Sequence, residues 1–100
     1  MYTAIRTYRT TDSAELARRV ESEFLPIVRD VPGFVGYYVV DAGDGAIASI
    51  TVCADKSGMD ESTARAAEWV RDRISELIES GPEILAGDVT VSLTAAGVAM

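Results

Sequence analysis

Apolar and polar residues alternate from the start of the chain. The stretch "YTAIRTYR", residues 2–9, changes side at every step and is rich in Tyr, Thr and Ile, as a strand is. The period then lengthens. Leu16, Ala17, Val20, Phe24, Ile27, Val28 and Val31 recur at helical spacing, so one stripe faces a core. Asp12 is placed to cap this helix, with Glu15 reaching back as the second half of a capping box. Pro26 falls inside the pattern. It has no N–H for the carbonyl of Ser22, so the helix kinks or breaks there.

"VPGFVGYYVVDAGDG", residues 31–45, carries four glycines and a proline. A phosphate loop would open a helix with such glycines, and a calcium loop would place oxygen ligands at alternate positions and close with Glu. Here strand pattern follows the glycines, Asp41 and Asp44 are wrongly spaced, and Val52 stands where the closing Glu would be. The stretch instead reads as a Pro32-Gly33 turn, a strand "FVGYYVVD", and a tight hairpin at Asp44-Gly45. "AIASITVCA" is the returning strand.

A second helix is expected over 60–80, capped by Asp60, with Ala64, Ala67, Val70, Ile74, Leu77 and Ile78 as its buried stripe and Gly81-Pro82 as its stop. "GDVTVSL", 87–93, reads as the last strand and 94–100 as a loose tail. The order β-α-β-β-α-β gives one α+β domain over 1–100. Its fold is ferredoxin-like: a four-stranded antiparallel sheet with both helices on one face. A hairpin centred between Gly43 and Asp44 pairs Val35 with Val52, Tyr37 with Ile50 and Val39 with Ala48. Both faces of that hairpin are then largely apolar. A sheet with one face in water should alternate, so a second copy of the chain is expected over the bare face.

Net charge is −7, and the nine Lys and Arg residues are scattered. That argues against nucleic acid and against anionic membrane surfaces, both of which need a concentrated basic patch. No apolar run reaches transmembrane length, and the N-terminus lacks a signal peptide's apolar stretch; a cytoplasmic protein is expected. The one cysteine, Cys53, reads as a small apolar strand residue. The chain contains no His, Asn or Gln. This removes most metal sites, the Ser-His and Cys-His nucleophile pairs and the commonest proton shuttle, and predicts independence of metal and cofactor. The acidic pairs Glu21/Glu23 and Glu76/Glu79 read as solvated helix faces.

The element order, the "PGF" turn, "GYYVVDAGDG" and "AAEWV" together resemble the antibiotic biosynthesis monooxygenase group of dimeric α+β barrel proteins, over residues 2–93. The resemblance implies a homodimer whose sheets face each other, with a small apolar cavity between sheet and helices in each subunit. It implies oxygenation of phenols or quinols without metal or flavin, the substrate carbanion itself activating oxygen. A haem-degrading branch uses a His and an Asn, and this chain has neither. Oxygenating members employ an Asn, a Trp, a Tyr and an Arg; the Asn has no counterpart here.

The candidate catalytic residues are therefore Trp69, Arg6, Tyr8, Tyr37 and Tyr38. Trp69 stands at the edge of its helix's buried stripe, as core filler or as cavity wall. Tyr37 and Tyr38 point to opposite faces of one strand, so one at most meets the cavity. Arg6 and Tyr8 share a face of the first strand. A charge on an apolar strand needs a partner, which is either a carboxylate or a substrate anion. The two functions kept open are a cofactor-free monooxygenase of a small aromatic metabolite and a non-catalytic dimeric binding module.

Overall fold

The computed structural model describes residues 1–96. Four strands, β1 (Tyr2–Thr10), β2 (Phe34–Gly43), β3 (Ala46–Cys53) and β4 (Ile78–Asp88), form one antiparallel sheet in the order β2-β3-β1-β4. The helical segments lie over one face. The fold is the α+β, ferredoxin-like one that the alternation of periods predicts.

The first helical arm starts at α1 (Ser13–Arg19), where the Asp12 carboxylate accepts the N–H of Glu15 at 3.1 Å. The reciprocal half of the capping box is not made. Glu15 turns along the helix to Arg18 and Arg19, and the N–H of Asp12 goes to the Thr10 hydroxyl. A π-helical turn, Val20–Phe24, follows, and then α2 (Leu25–Arg29) with Pro26 in its first turn. The break therefore falls where the missing N–H of Pro26 requires it. A proline is tolerated at a helix start because its N–H has no partner there. The stripe Leu16, Val20, Phe24, Val28 and Val31 is buried.

The second arm corrects the sequence reading at both ends. α3 spans Lys56–Trp69 and is capped by Asp55, whose carboxylate accepts the N–H of Gly58 at 2.9 Å. Asp60 sits one turn inside and pairs with Lys56. Because the helix begins earlier, its buried face is Met59, Ser62 and Trp69 rather than Ala64 and Ala67, which are exposed. Gly58 lies so near the Pro32 turn that a Cβ would stand 2.6 Å from the Pro32 carbonyl oxygen. A second π-helical turn, Val70–Ile74, and a short 3₁₀ turn, Ser75–Leu77, carry the chain into β4.

Gly81-Pro82 does not end a helix; it lies inside β4, which runs Ile78–Asp88 instead of 87–93. The Gly81–Pro82 peptide is cis, and the pair falls at the register shift between the Thr7↔Glu83 and Arg9↔Ser80 pairings. Only an edge strand with such an irregularity accommodates a proline. At Gly81, φ is +108°, and a Cβ would meet the Thr7 carbonyl oxygen at 2.8 Å. Of the expected tail, Thr94 makes an isolated bridge, and residues 97–100 lie outside the described residues.

The hairpin turns at Asp44 and Gly45, both with positive φ (54° and 81°), as a type I′ turn requires. Its register differs from the expected one by a residue. A bulge between Asp41 and Gly43, next to the turn, sets Val39 opposite Ser49 and Tyr37 opposite Thr51, and a second irregularity between Gly36 and Phe34 brings Phe34 opposite Cys53. One slipped residue turns β3 over relative to β2. Tyr37, Val39, Ile47, Ser49 and Thr51 therefore share a face, and Tyr38, Val40, Ala48 and Ile50 share the other.

The main core lies between sheet and helices, built on Leu16, Val20, Phe24, Val28, Ile47, Trp69, Ile74 and Leu77. A smaller cluster of Ala4, Cys53 and Met59 sits at the other end of α3. Cys53 is fully buried, which pushes its thiol pKa up; it is the apolar strand residue expected. The opposite sheet face is bare. On it or at its rim, Val35, Tyr38, Val40 and Leu85 are exposed.

Candidate functional site

Inside the main core the packing leaves a cavity. The space open to the centre of a water-sized sphere is about 40 Å³, within a wider envelope of about 490 Å³ that takes in the mouth and the solvent beyond it. The cavity opens to solvent at its mouth, and the first figure is room for one or two waters. The two π-helical turns form its roof, contributing Val20 and Phe24 from one arm and Val70 and Ile74 from the other. Single π turns are frequent at functional sites.

Four of the five candidate residues converge here: Arg6, Tyr8, Tyr37 and Trp69 all line the cavity. Tyr38 does not; it stands 62% exposed on the bare face. The sequence reading missed Phe24 as the centre of the aromatic group. Its ring lies 5.2 Å from that of Trp69 and 5.5 Å from that of Tyr37, both tilted, within the range where aromatic pairs attract. Its place in the apolar stripe could signal burial, but not the two rings it would meet.

Arg6 is the feature with the fewest structural explanations. It is 4% exposed. Its guanidinium donates to the Thr51 hydroxyl at 3.4 Å and to the Thr63 hydroxyl. Both partners are neutral. Among the described residues no carboxylate forms an ion pair with it. A guanidinium carries five N–H donors, and two hydroxyls leave its charge uncompensated.

The two tyrosines are neutral donors. Burial pushes the Tyr37 hydroxyl up to about 12, against a smaller lowering by its hydrogen bond to Ser49. Burial also raises Tyr8, partly offset by the nearby charge of Arg6. Neither ionises near neutrality. No Asp or Glu lines the cavity.

The indole N–H of Trp69 is directed away from the cavity, to the Glu23 carboxylate at 3.3 Å. Glu23 also accepts from Arg73 at 2.9 Å, and this bond first, then the Trp69 bond, holds its carboxyl below the usual range. On the same surface Arg19 pairs with Glu76 at 2.5 Å and donates to the Arg73 carbonyl. Glu23 and Glu76 are thus more than solvated charges. Glu23 ties the two π-helical turns together through Arg73, and Glu76 ties α1 to the 3₁₀ turn through Arg19. The pairing of Glu21 with Glu23 and of Glu76 with Glu79 along the sequence gave no sign of this, because the partners lie on the other arm. Among the described residues no group of three His, Cys, Asp or Glu side chains is placed to hold a metal ion.

No protein-family model and no curated protein matches the chain. Solved structures do. A protein of unknown function from Nitrosomonas europaea, NE2512, superposes with a TM-score of 0.81 at 18% identity, over 96% of this chain and 95% of that one. SnoaB, a cofactor-independent oxygenase from Streptomyces nogalater, gives 0.72 at 15% identity, over 92% and 95%. The ActVA-Orf6 monooxygenase of Streptomyces coelicolor, solved with nanaomycin D bound, gives 0.74 at 19%, over 93% and 90%. The fold is that of the antibiotic biosynthesis monooxygenases. At these identities the likeness establishes architecture, and chemistry must be argued from the residues.

Proposed function

We propose that the chain is a cofactor-independent monooxygenase of a small phenol- or quinol-type aromatic, acting as a homodimer in the cytoplasm. The observation that carries this reading is Arg6, a buried cation without a carboxylate at the wall of an aromatic cavity. Such a charge lowers the energy of an oxyanion placed beside it, and a dry, rigid wall enhances the effect. The substrate oxyanion delocalises electrons into its ring, and the ring carbon reduces dioxygen directly. One oxygen atom stays on the ring as the new carbonyl and the other leaves as water. Phe24, Tyr37 and Trp69 would form the apolar wall behind Arg6, and the Tyr8 hydroxyl beside Arg6 would donate a hydrogen bond to the substrate. The homodimer is supported by the bare apolar face, and the fold likeness to two oxygenases agrees with the chemistry.

One observation favours the second reading, a non-catalytic binding module. The Trp69 N–H is already committed to Glu23, and the core cavity is small. Oxygen uptake over a panel of phenols and quinols separates the two. On the first reading wild-type protein consumes oxygen with at least one of them. Arg6→Met then lowers turnover ~10²–10³-fold, the usual effect of removing one positioned donor to an oxyanion. No uptake from any compound, with Trp69→Phe lowering only the melting temperature, would leave the binding module.

A further inference from the structure

Arg6 borders two spaces. One is the core cavity. The other is an open groove of about 240 Å³ between α3 and β4, and both are lined by Arg6, Tyr8, Ala66 and Val70. The groove continues outward along Thr63, Ala67 and Arg71 on one side and Pro82 and Ile84 on the other. Its walls are mostly apolar, and the alanines keep it wide. At its outer end stands a second guanidinium, Arg71, exposed and paired with Asp72. Among the described residues no acidic side chain lines either space.

We propose that the α3–β4 groove is the binding site for a planar aromatic that arrives already ionised, its oxyanion seated on Arg6 and its ring between Ala67 and Ile84. This rests on the reading of the Arg6 region as a ligand site and names the class of substrate. The argument is one of proton balance. A neutral phenol needs a base to become an oxyanion. Among the described residues the polar groups of the two spaces are two tyrosines, a threonine, a serine, a tryptophan and two arginines, none of which accepts a proton near neutrality, and the nearby Glu23 faces the outer surface between Trp69 and Arg73. A carboxylate or an acidic enol needs no base. It also supplies the charge that the two threonine hydroxyls leave uncompensated on Arg6. At about 40 Å³ the core cavity is too small for a ring; the groove, at about 240 Å³, has room for one.

Calorimetric titration at neutral pH tests this with matched pairs. Naphthoate and hydroxynaphthoquinone, both ionised, are compared with methyl naphthoate and naphthoquinone, both neutral. At least one oxyanion should bind at least about tenfold more tightly than its neutral counterpart, the scale of a hydrogen bond to a charged group, and the better pair tells carboxylate from enolate. Arg6→Met should abolish the preference. Ala67→Leu, at an exposed position, should fill the groove and weaken binding of that oxyanion at least about tenfold with the melting temperature unchanged. Equal affinity for ionised and neutral partners in the wild-type protein overturns the proposal, as does full affinity in Ala67→Leu. Should Arg6→Met not fold, those two comparisons still decide it. Tight oxyanion binding without oxygen uptake retires the oxygenase and keeps this site. Uptake from neutral quinols with no oxyanion preference retires this site and keeps the oxygenase.

Discussion

The two faces of the sheet use similar residues for different ends. On the helix-covered face Tyr37, Val39, Ile47 and Thr51 meet Phe24, Trp69 and Arg6, and the packing is dense around one small space. On the bare face Tyr38, Val40 and Ile50 have only strand neighbours, and Tyr38, Val40 and Leu85 stand 62%, 47% and 71% exposed. Adjacent tyrosines on one strand thus have opposite fates. Residue type does not separate them; the pleat does, through which side the crossover helices occupy. A covered apolar face stabilises the subunit. An uncovered one of this extent stabilises something only once a second surface meets it.

That difference can be broken by truncation on each side. Phe24→Ala removes a ring that is 3% exposed and touches two others, and should cost about 3–5 kcal/mol in urea unfolding. Leu85→Ala should change the stability of the isolated chain by less than about 0.5 kcal/mol. The same Leu85→Ala should weaken the proposed homodimer, seen as a lower weight-average mass on dilution in light scattering. A wild-type chain that scatters as a monomer at micromolar concentration would remove the second half of the comparison and leave the bare face unexplained.

A smaller effect separates the faces by titration. Tyr37 ionises at about 12 in the folded chain against 10.0 for a free tyrosine, chiefly because it is buried. A raised folded value means that its contribution is complete below pH 10 and is lost as pH rises toward 12, since the unfolded chain ionises first. Stability should therefore fall across that window, and Tyr37→Phe should flatten the fall. Tyr38→Phe, on the exposed face, should change the stability of the isolated chain by less than about 0.5 kcal/mol. Parallel curves for wild type and Tyr37→Phe would mean that the hydroxyl reaches water.

Much of this architecture was legible in the chain, because periodicity reports which side of an element is covered. The strand-helix order, the Asp12 cap, the break at Pro26 and the Asp44-Gly45 turn all follow from local rules of backbone chemistry. Three features did not, and each has a physical reason. The bulge between Asp41 and Gly43 adds one residue beside the turn, and strict alternation carries no mark of it, so the alternation puts β3 on the wrong faces. The first turn of α3, Lys56-Ser57-Gly58, is too polar to extend the apolar stripe, so Asp60 took the place of Asp55 as the cap. Gly81-Pro82 carries the chemistry of a helix stop but lies in an edge strand where a register shift frees the proline from the ladder. For the site, the strand pattern places Arg6 and Tyr8 together. The absence of a carboxylate beside Arg6, and the approach of Glu23 to Trp69, depend on contacts between distant segments and needed the tertiary structure.

The smallest expected effect lies on the outer surface of α1, farthest in character from the covered face. Glu15 accepts hydrogen bonds from Arg18 and Arg19, and these hold its carboxyl down to about 2 from 4.5. A depressed folded value contributes stability that is present above pH 4.5 and is lost as pH falls toward 2. Wild type and Glu15→Gln should therefore differ near neutrality and converge in acid. The difference should shrink in high salt, because the group is open to solvent and its charges are screened. Arg19 also reaches Glu76 on the other arm, so part of the loss in Glu15→Gln is a looser clamp over the cavity. A salt-dependent drop in oxyanion affinity in Glu15→Gln would show that the clamp and the groove are coupled. A drop in melting temperature alone would confine Glu15 to its own helix.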